Sequence, residues 1–215
     1  RGIKRLVADT LSRNADMLRV FADSGLVEER HISGGVVDLA LGTAPAPGAI
    51  AGLDDRERVA EQHSLTPVLA PHTVAVIGAG RRPGGAGHEI LRSIVEGGFT
   101  GQLFAVHPNA SIVGGVPAYP TIAAVPEHVD LAVIALPAAQ VPGVVTECAA
   151  AGVHGAVVVT SGLGEIGGEG VELQRRMVHE ARRHGMRIIG PNALGLVNTD
   201  PDVRLNATFA DAPVD

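Results

Sequence analysis

Residues Val74 to His88, Val-Ala-Val-Ile-Gly-Ala-Gly-Arg-Arg-Pro-Gly-Gly-Ala-Gly-His, join a short apolar run to a glycine-rich turn and then to a helix-like segment. A nucleotide's phosphates are held by bare backbone N–H groups at a helix N-terminus, and glycine permits the unusual φ values and close approach this requires. Gly78 and Gly80, followed by Gly84, Gly85 and Gly87, form a stretched Gly-x-Gly-x-x-Gly, which alone leaves the nucleotide class open. Arg81 and Arg82 inside the turn suit forked contacts to phosphate, with solvated loop charges as the plain alternative. No Gly-Lys-Ser/Thr ending follows, so a Walker-type triphosphate site is not supported. The other reactive side chains offer less. Ser161 lacks the Gly-x-Ser-x-Gly elbow of a hydrolase nucleophile, and His88, His107, His179 and His184 have no metal-site spacing and read as loop or surface groups. Cys148 falls in an Ala-rich helix and reads as a packing residue, while Glu165 is placed to cap or face the start of the following helix. No catalytic residue and no metal ligand is assigned.

The elements that must position this turn follow from hydrophobic patterning. From Val74 onward, apolar runs at Val74–Ile77, Leu103–Val106, Leu131–Leu136, Ala156–Thr160 and Arg187–Ile189 alternate with helical stretches near Gly87–Glu96, Ala139–Ala151 and Gly168–His184, with a short segment around Thr121. Strand, crossover, strand repeated in this way implies an α/β fold: a Rossmann-like, doubly wound parallel sheet with helices on both faces. In such sheets the loops at the C-terminal ends of the strands face one crevice. Here they are Gly78 to Gly87, His107-Pro108-Asn109, Pro137-Ala138, Ser161-Gly162 and Gly190-Pro191-Asn192. Dinucleotide-binding folds usually carry Asp or Glu after the second strand to bind the ribose. His107-Pro108-Asn109 stands there instead.

Composition narrows the class further. The chain has 215 residues, enough for an α/β domain of about 150 residues and an appendage. Its apolar content of 46% includes only 2% aromatics, which suits closely layered parallel strands. A net charge of −6 argues against nucleic acid as a partner, so any anion is bound locally. The single cysteine excludes an internal disulfide and fits a reducing, cytoplasmic setting. The most apolar region, Val129 to Thr160, is broken by Pro137, Pro142, Gly143, Gly152 and Gly155, so no membrane span is expected. Upstream, Gly2–Leu11 and Val36–Leu41 read as strands around an amphipathic helix, Asn14–Ser24. Gly42–Gly52 reads as an Ala/Pro/Gly linker and Asp54–Ser64 as a short exposed helix. The expected organisation is therefore residues 1–41, a linker with a short helix at 42–64, and a domain at 65–215. Arg1 in place of Met leads us to expect a piece of a longer protein.

Many short motifs then agree in order. Val74-Ala-Val-Ile-Gly-Ala, Gly97-Gly-Phe-Thr-Gly101, Val106-His-Pro-Asn109, Gly114 to Pro120, Val129-Asp-Leu-Ala-Val-Ile134, Pro137-Ala138, Ser161-Gly162, Gly190-Pro-Asn-Ala-Leu-Gly195 and Leu205-Asn-Ala-Thr-Phe209 together resemble the CoA-binding domain of NDP-forming acyl-CoA synthetases, relatives of the succinyl-CoA synthetase alpha subunit. The resemblance covers about Leu65 to the end and implies CoA or acetyl-CoA as the ligand. It implies that Gly78, Arg81, Gly84 and Gly87 hold the CoA phosphates, that Asn109, Pro137 and Ala138 line the adenosine and pantetheine path, and that Ser161, Gly162 and Asn192 approach the thiol end. In that family the phosphorylated histidine lies in a later domain, so binding rather than catalysis is implied here. Asn14, Met17, Phe21, Gly25 and Leu26 resemble the pattern that closes GNAT acetyltransferase domains, with Phe21 where many carry a Tyr acid. The resemblance as a whole implies the junction of a bacterial GNAT and acyl-CoA synthetase fusion of the protein lysine acetyltransferase type. Its partners would be a CoA thioester, upstream GNAT and downstream ATP-grasp-associated synthetase domains, a protein lysine substrate of the parent, and a second copy in a homo-oligomer. The parent would be an acyltransferase or ADP-forming synthetase, and this stretch alone inactive. An NAD(H)-binding oxidoreductase or redox-sensor domain remains the second reading.

Overall fold

Seven short strands, most of them runs of Val, Ala and Ile, form the central sheet in the order β10-β9-β8-β4-β5-β7-β6. They are β4 (Thr73–Ile77), β5 (Gln102–Val106), β6 (Ile112–Val113), β7 (Val116–Tyr119), β8 (Leu131–Ile134), β9 (Gly155–Val158) and β10 (Arg187–Ile189). The structure is a computed structural model describing residues 5–24, 26–42, 62, 64–80 and 84–209. It divides into two units, Arg1–Gln62 and His63–Asp215.

In the second unit β4 pairs in parallel with both β5 and β8, β9 pairs in parallel with β8 and β10, and β7 adds in parallel to β5. Only β6 runs antiparallel, at the edge. Taken in chain order, the six parallel strands lie as 3-2-1-4-5-6, the doubly wound arrangement whose order reverses between β4 and β8. The alternation of side chains sorts the core into two layers. Ala75, Ile77, Ala132, Ile134, Ala156 and Val158 face one layer, with Val141, Val145, Cys148, Met177 and Ala181. Val74, Val76, Leu131, Val133 and Val157 face the other, with Ile90, Leu91, Ile94, Leu205 and Ala207. The first layer is closed by α3 (Val141–Ala150) and α4 (Glu169–Arg183), the second by α2 (Ala86–Glu96). Each fully buried Ile or Leu contributes about 1.5–3 kcal/mol. Cys148 is fully buried, and burial pushes its thiol up to about 12, as expected of a packing residue.

The structure corrects the expected layout in three places. The link between β5 and β8, expected as a short segment around Thr121, also holds the strands β6 and β7 ahead of the single turn Ile122–Ala124. The face covered by α2 also carries an antiparallel pair, β11 (Gly195–Asn198) with β12 (Leu205–Thr208), so it is not covered by helices alone. Glu165 turns back onto the backbone N–H groups of Gly162 and Leu163 rather than forward to α4.

The first unit is an antiparallel sheet of order β1-β3-β2, formed by β1 (Arg5–Leu11), β2 (Val27–Ser33) and β3 (Val36–Gly42), with α1 (Ala15–Asp23) between β1 and β2. The Asn14 side chain accepts the Met17 N–H at 3.1 Å, an N-cap. Gly34 and Gly35, with φ of 56° and 84°, close the β2–β3 hairpin, because two positive φ values match its twist. Charged β2 was absent from the sequence-based layout. Gly42 belongs to β3 rather than to a linker; the remainder of the expected linker, residues 43–52, and most of the Asp54–Ser64 helix lie outside the described residues. Within the second unit, residues 64–69 are helical, and Val68 is buried against the sheet. Among the described residues no helix is long and apolar enough to cross a membrane.

Candidate functional site

The parallel strands end on the same edge, and the loops after five of them stand in a row there: 107–109, 78–80 with 84–87, 137–138, 161–162 and 190–192, in the order β5, β4, β8, β9, β10. The reversal point falls between the second and third of them, where ligands of doubly wound folds bind.

Gly78 begins the turn after β4 with φ +91°, and a Cβ there would stand 2.3 Å from the carbonyl oxygen of Ala135, just past β8. The two strand ends thus meet backbone to backbone across the reversal point. Gly87, in the first turn of α2, would place a Cβ 2.4 Å from the Gly78 carbonyl oxygen, so the helix can start against the strand only without a side chain. That first turn grips both ends of the loop. The Gly80 carbonyl accepts from His88 Nδ1 at 3.0 Å, which fixes the proton on that nitrogen. The Gly84 N–H donates to Glu89 at 3.1 Å, and Glu89 is paired with Arg92 at 2.9 Å. The Gly84 N–H bond, followed by Arg92, holds the Glu89 carboxyl below the usual carboxylate range. Arg81 and Arg82 lie outside the described residues.

A cleft of about 380 Å³ opens at these strand tips. Its walls are Ile77–Gly80 from the glycine turn, Val106, His107 and Pro108 from the end of β5, Pro120–Ile122, and Leu136, Gln140, Val144 and Glu147 from the β8 loop and α3. The structure therefore brings Gly78 and the His107-Pro108 loop together, as the spacing of the strands implies. Asn109, Pro137, Ala138, Gly84 and Gly87 flank the cleft in sequence without lining it, and Ser161, Gly162 and Asn192 stand further along the same edge. Hydrogen bonds tie that edge into one run. Thr160 Oγ1 donates to the Leu136 carbonyl at 2.7 Å, and the Asn192 N–H donates to the Thr160 carbonyl at 2.9 Å. A Cβ on Gly162 would lie 3.5 Å from that of Ala138, so those two loops touch. Asn192 is exposed and in the left-handed region, φ 56°, which Asn tolerates better than most residues.

Sequence reasoning passed over His107, Gln140 and Val144 as lining residues. His107 was readable only as a loop group, yet its Nδ1 accepts the Asn109 N–H at 3.2 Å, leaving the neutral ring's proton on Nε2. Gln140 and Val144 precede and enter α3 at helical spacing, a signal that required knowing which face of α3 turns to the cleft. A second hollow of about 330 Å³ lies between α3 and α4 at Pro142, Thr146, Arg175 and His179 and includes no residue of the five loops.

Comparison with known proteins agrees with this geometry. Residues 72–199 match the family described as CoA binding domain. The chain is 44% identical over 136 residues to the ADP-forming acetate–CoA ligase II of Archaeoglobus fulgidus, a match covering 63% of this chain and 20% of that protein. It is 39% identical over 159 residues to the alpha subunit of ADP-forming acetate–CoA ligase I of Pyrococcus furiosus, covering 70% of this chain and 33% of that one. Among solved structures, the acetyl-coenzyme A synthetase 1 of Ca. Korarchaeum cryptofilum, in complex with phosphate and ADP, superimposes with a TM-score of 0.65 at 41% identity, covering 70% of this chain and 32% of that one. The chain thus spans about a fifth to a third of the length of these relatives. The nicotinamide reading is not favoured by these matches. With its doubly wound sheet and its glycine turn at the reversal point, this chain belongs to the CoA-binding domain family and is like the alpha subunit of ADP-forming acyl-CoA synthetases.

Proposed function

We propose that this chain holds CoA or a short acyl-CoA such as acetyl-CoA at the strand-tip cleft, as one part of a larger ADP-forming acyl-CoA synthetase-like protein. The observation that carries this reading is the division of labour among the loop glycines. Gly78 and Gly87 are required by the chain's own backbone contacts. Gly80 is required by neither its φ nor its packing, since a Cβ there would meet no described atom within 4 Å. Its missing side chain leaves backbone open to a guest at the start of α2, where the helix dipole favours phosphate. Arg81 beside it and Gly84 further along the turn complete the phosphate cradle, Gly84 through its lack of a side chain, since its N–H is already engaged by Glu89. Asn109, Pro137 and Ala138, beside the cleft rather than in its wall, border the adenosine and pantetheine path, and Ser161, Gly162 and Asn192 meet the thiol end. The amide of Gly162 is already engaged by Glu165, so it contributes shape there rather than a donor.

The finer architecture belongs to the same proposal. Residues 1–41 form the end of a GNAT-like domain, 42–64 a linker and 65–215 the CoA-binding domain, within a parent that also carries synthetase domains and, through its GNAT part, acts on a protein lysine. The ordered Asn14, Met17, Phe21 and Leu26 pattern, running from the cap of α1 through the helix to the residue before β2, supports it. Calorimetric titration of the full chain with CoA, acetyl-CoA and NADH tests the ligand assignment. Saturable heat with CoA and acetyl-CoA is expected and none with NADH. Saturable NADH binding with silence toward CoA would overturn it.

A further inference from the structure

On the edge of the sheet opposite the glycine turn, the residues entering β8 and β9 bring His128, Asp130 and His154 together, with one ligand atom of each all within 4.8 Å of one another. His128 Nε2 and His154 Nδ1 stand 3.3 Å apart, and Asp130 Oδ1 lies 3.7 Å from His154 Nδ1. The two ring nitrogens share a hydrogen bond in the metal-free chain, and two imidazole nitrogens bound to one tetrahedral ion at about 2.0–2.1 Å are separated by about 3.3–3.4 Å, so an ion could replace the shared proton with little movement of the rings. The third donor is already oriented. Asp130 Oδ2 accepts the N–H groups of His72 at 2.8 Å and Thr73 at 3.1 Å, which holds the carboxylate by one oxygen and turns the other toward the histidines. Such outer bonds are what keep a ligating carboxylate in register with a metal. Both histidines are exposed, so an ion has access from solvent.

We propose that His128, Asp130 and His154 form a binding site for a divalent cation of the Zn2+ class, with water in the fourth position. Imidazole nitrogens with one carboxylate match that class better than the all-oxygen sets preferred by Mg2+ or Ca2+. The ion would join the entrances of β8 and β9 and, through the backbone bonds of Asp130, that of β4. Of these, β4 and β8 flank the reversal point at their far ends, so the site braces the sheet without touching the CoA cleft. None of the histidines weighed in the sequence, His88, His107, His179 and His184, takes part. His128 and His154 are 26 residues apart, and only parallel pairing of β8 with β9 makes them neighbours.

The probe is zinc chloride, titrated calorimetrically into the tag-free full chain in chelator-free buffer. One equivalent is expected, with a rise in Tm on the order of 5 °C at saturation, and Co2+ in its place is expected to give the visible absorption of a four-coordinate site. His128→Ala and His154→Ala are each expected to weaken zinc binding at least about tenfold, while retaining the metal-free Tm and the CoA heat of the unmodified chain. Asp130→Asn is a poorer variant, because Asp130 also holds the start of β4. His179→Ala and His184→Ala are expected to change nothing. Zinc affinity unaltered in both the His128 and His154 variants, or no zinc binding below about millimolar concentration, would overturn the proposal.

Discussion

Two glycines of one loop carry opposite expectations. A methyl on Gly87 would stand 2.4 Å from the Gly78 carbonyl oxygen, and backbone on both sides leaves little room to yield. Gly87→Ala is therefore expected to cost about 2–3 kcal/mol in urea unfolding, with loss of CoA binding as α2 shifts. A methyl on Gly80 meets no described atom within 4 Å. Gly80→Ala is expected to leave stability within about 0.5 kcal/mol and to weaken CoA at least about tenfold, or 1.4 kcal/mol. Equal effects of the two on stability would refute the distinction. At this scale the sequence was informative about types and silent about roles. The glycine spacing suggested a phosphate turn, but which glycine is needed for packing depends on Ala135, more than fifty residues away. His107 likewise showed as a loop histidine, and only the placement of β5 beside β4 turns it to the cleft wall.

At the scale of elements, the turn Gly164–Ile166 after β9 is held by a side chain of its own. The Glu165 carboxylate accepts from the N–H groups of Gly162 and Leu163, and the Gly162 bond above all holds its carboxyl below the usual carboxylate range. A depressed folded-state pKa contributes stability that is fully present above the unfolded pKa and is lost as pH falls through the folded one. Thermal melts of the chain and of Glu165→Gln are thus expected to differ in Tm at pH 7 and to converge as pH falls below about 4.5. A gap constant down to pH 3 would show that the charge is not what holds the turn. The strongly apolar central strands and the helices were legible in the sequence, because burial on both faces writes continuous Val/Ala/Ile runs. Elements short of that signal were not. β7 carries Pro117, β11 and β12 interrupt their apolar residues with Asn198, Asn206 and Thr208, and β2 is Val-Glu-Glu-Arg-His-Ile-Ser, whose charges mask its pairing with apolar β3.

For the whole molecule, the order β7-β5-β4-β8-β9-β10 puts every functional loop on one edge and the His128, Asp130 and His154 group on the other. The sequence conveyed this arrangement through the alternation of strands and helices and through many motifs in sequence order, while the depth and lining of the cleft required the packed sheet. Backbone hydrogen–deuterium exchange on the full chain, with and without CoA, reads that polarity directly. Slowed exchange on adding CoA is expected in the peptides holding Ile77–Gly80, Val106–Asn109 and Leu136–Gln140, with no change around Asp130 and His154. Equal slowing by NADH, or protection confined to the opposite edge, would contradict the assignment of CoA to the strand-tip cleft.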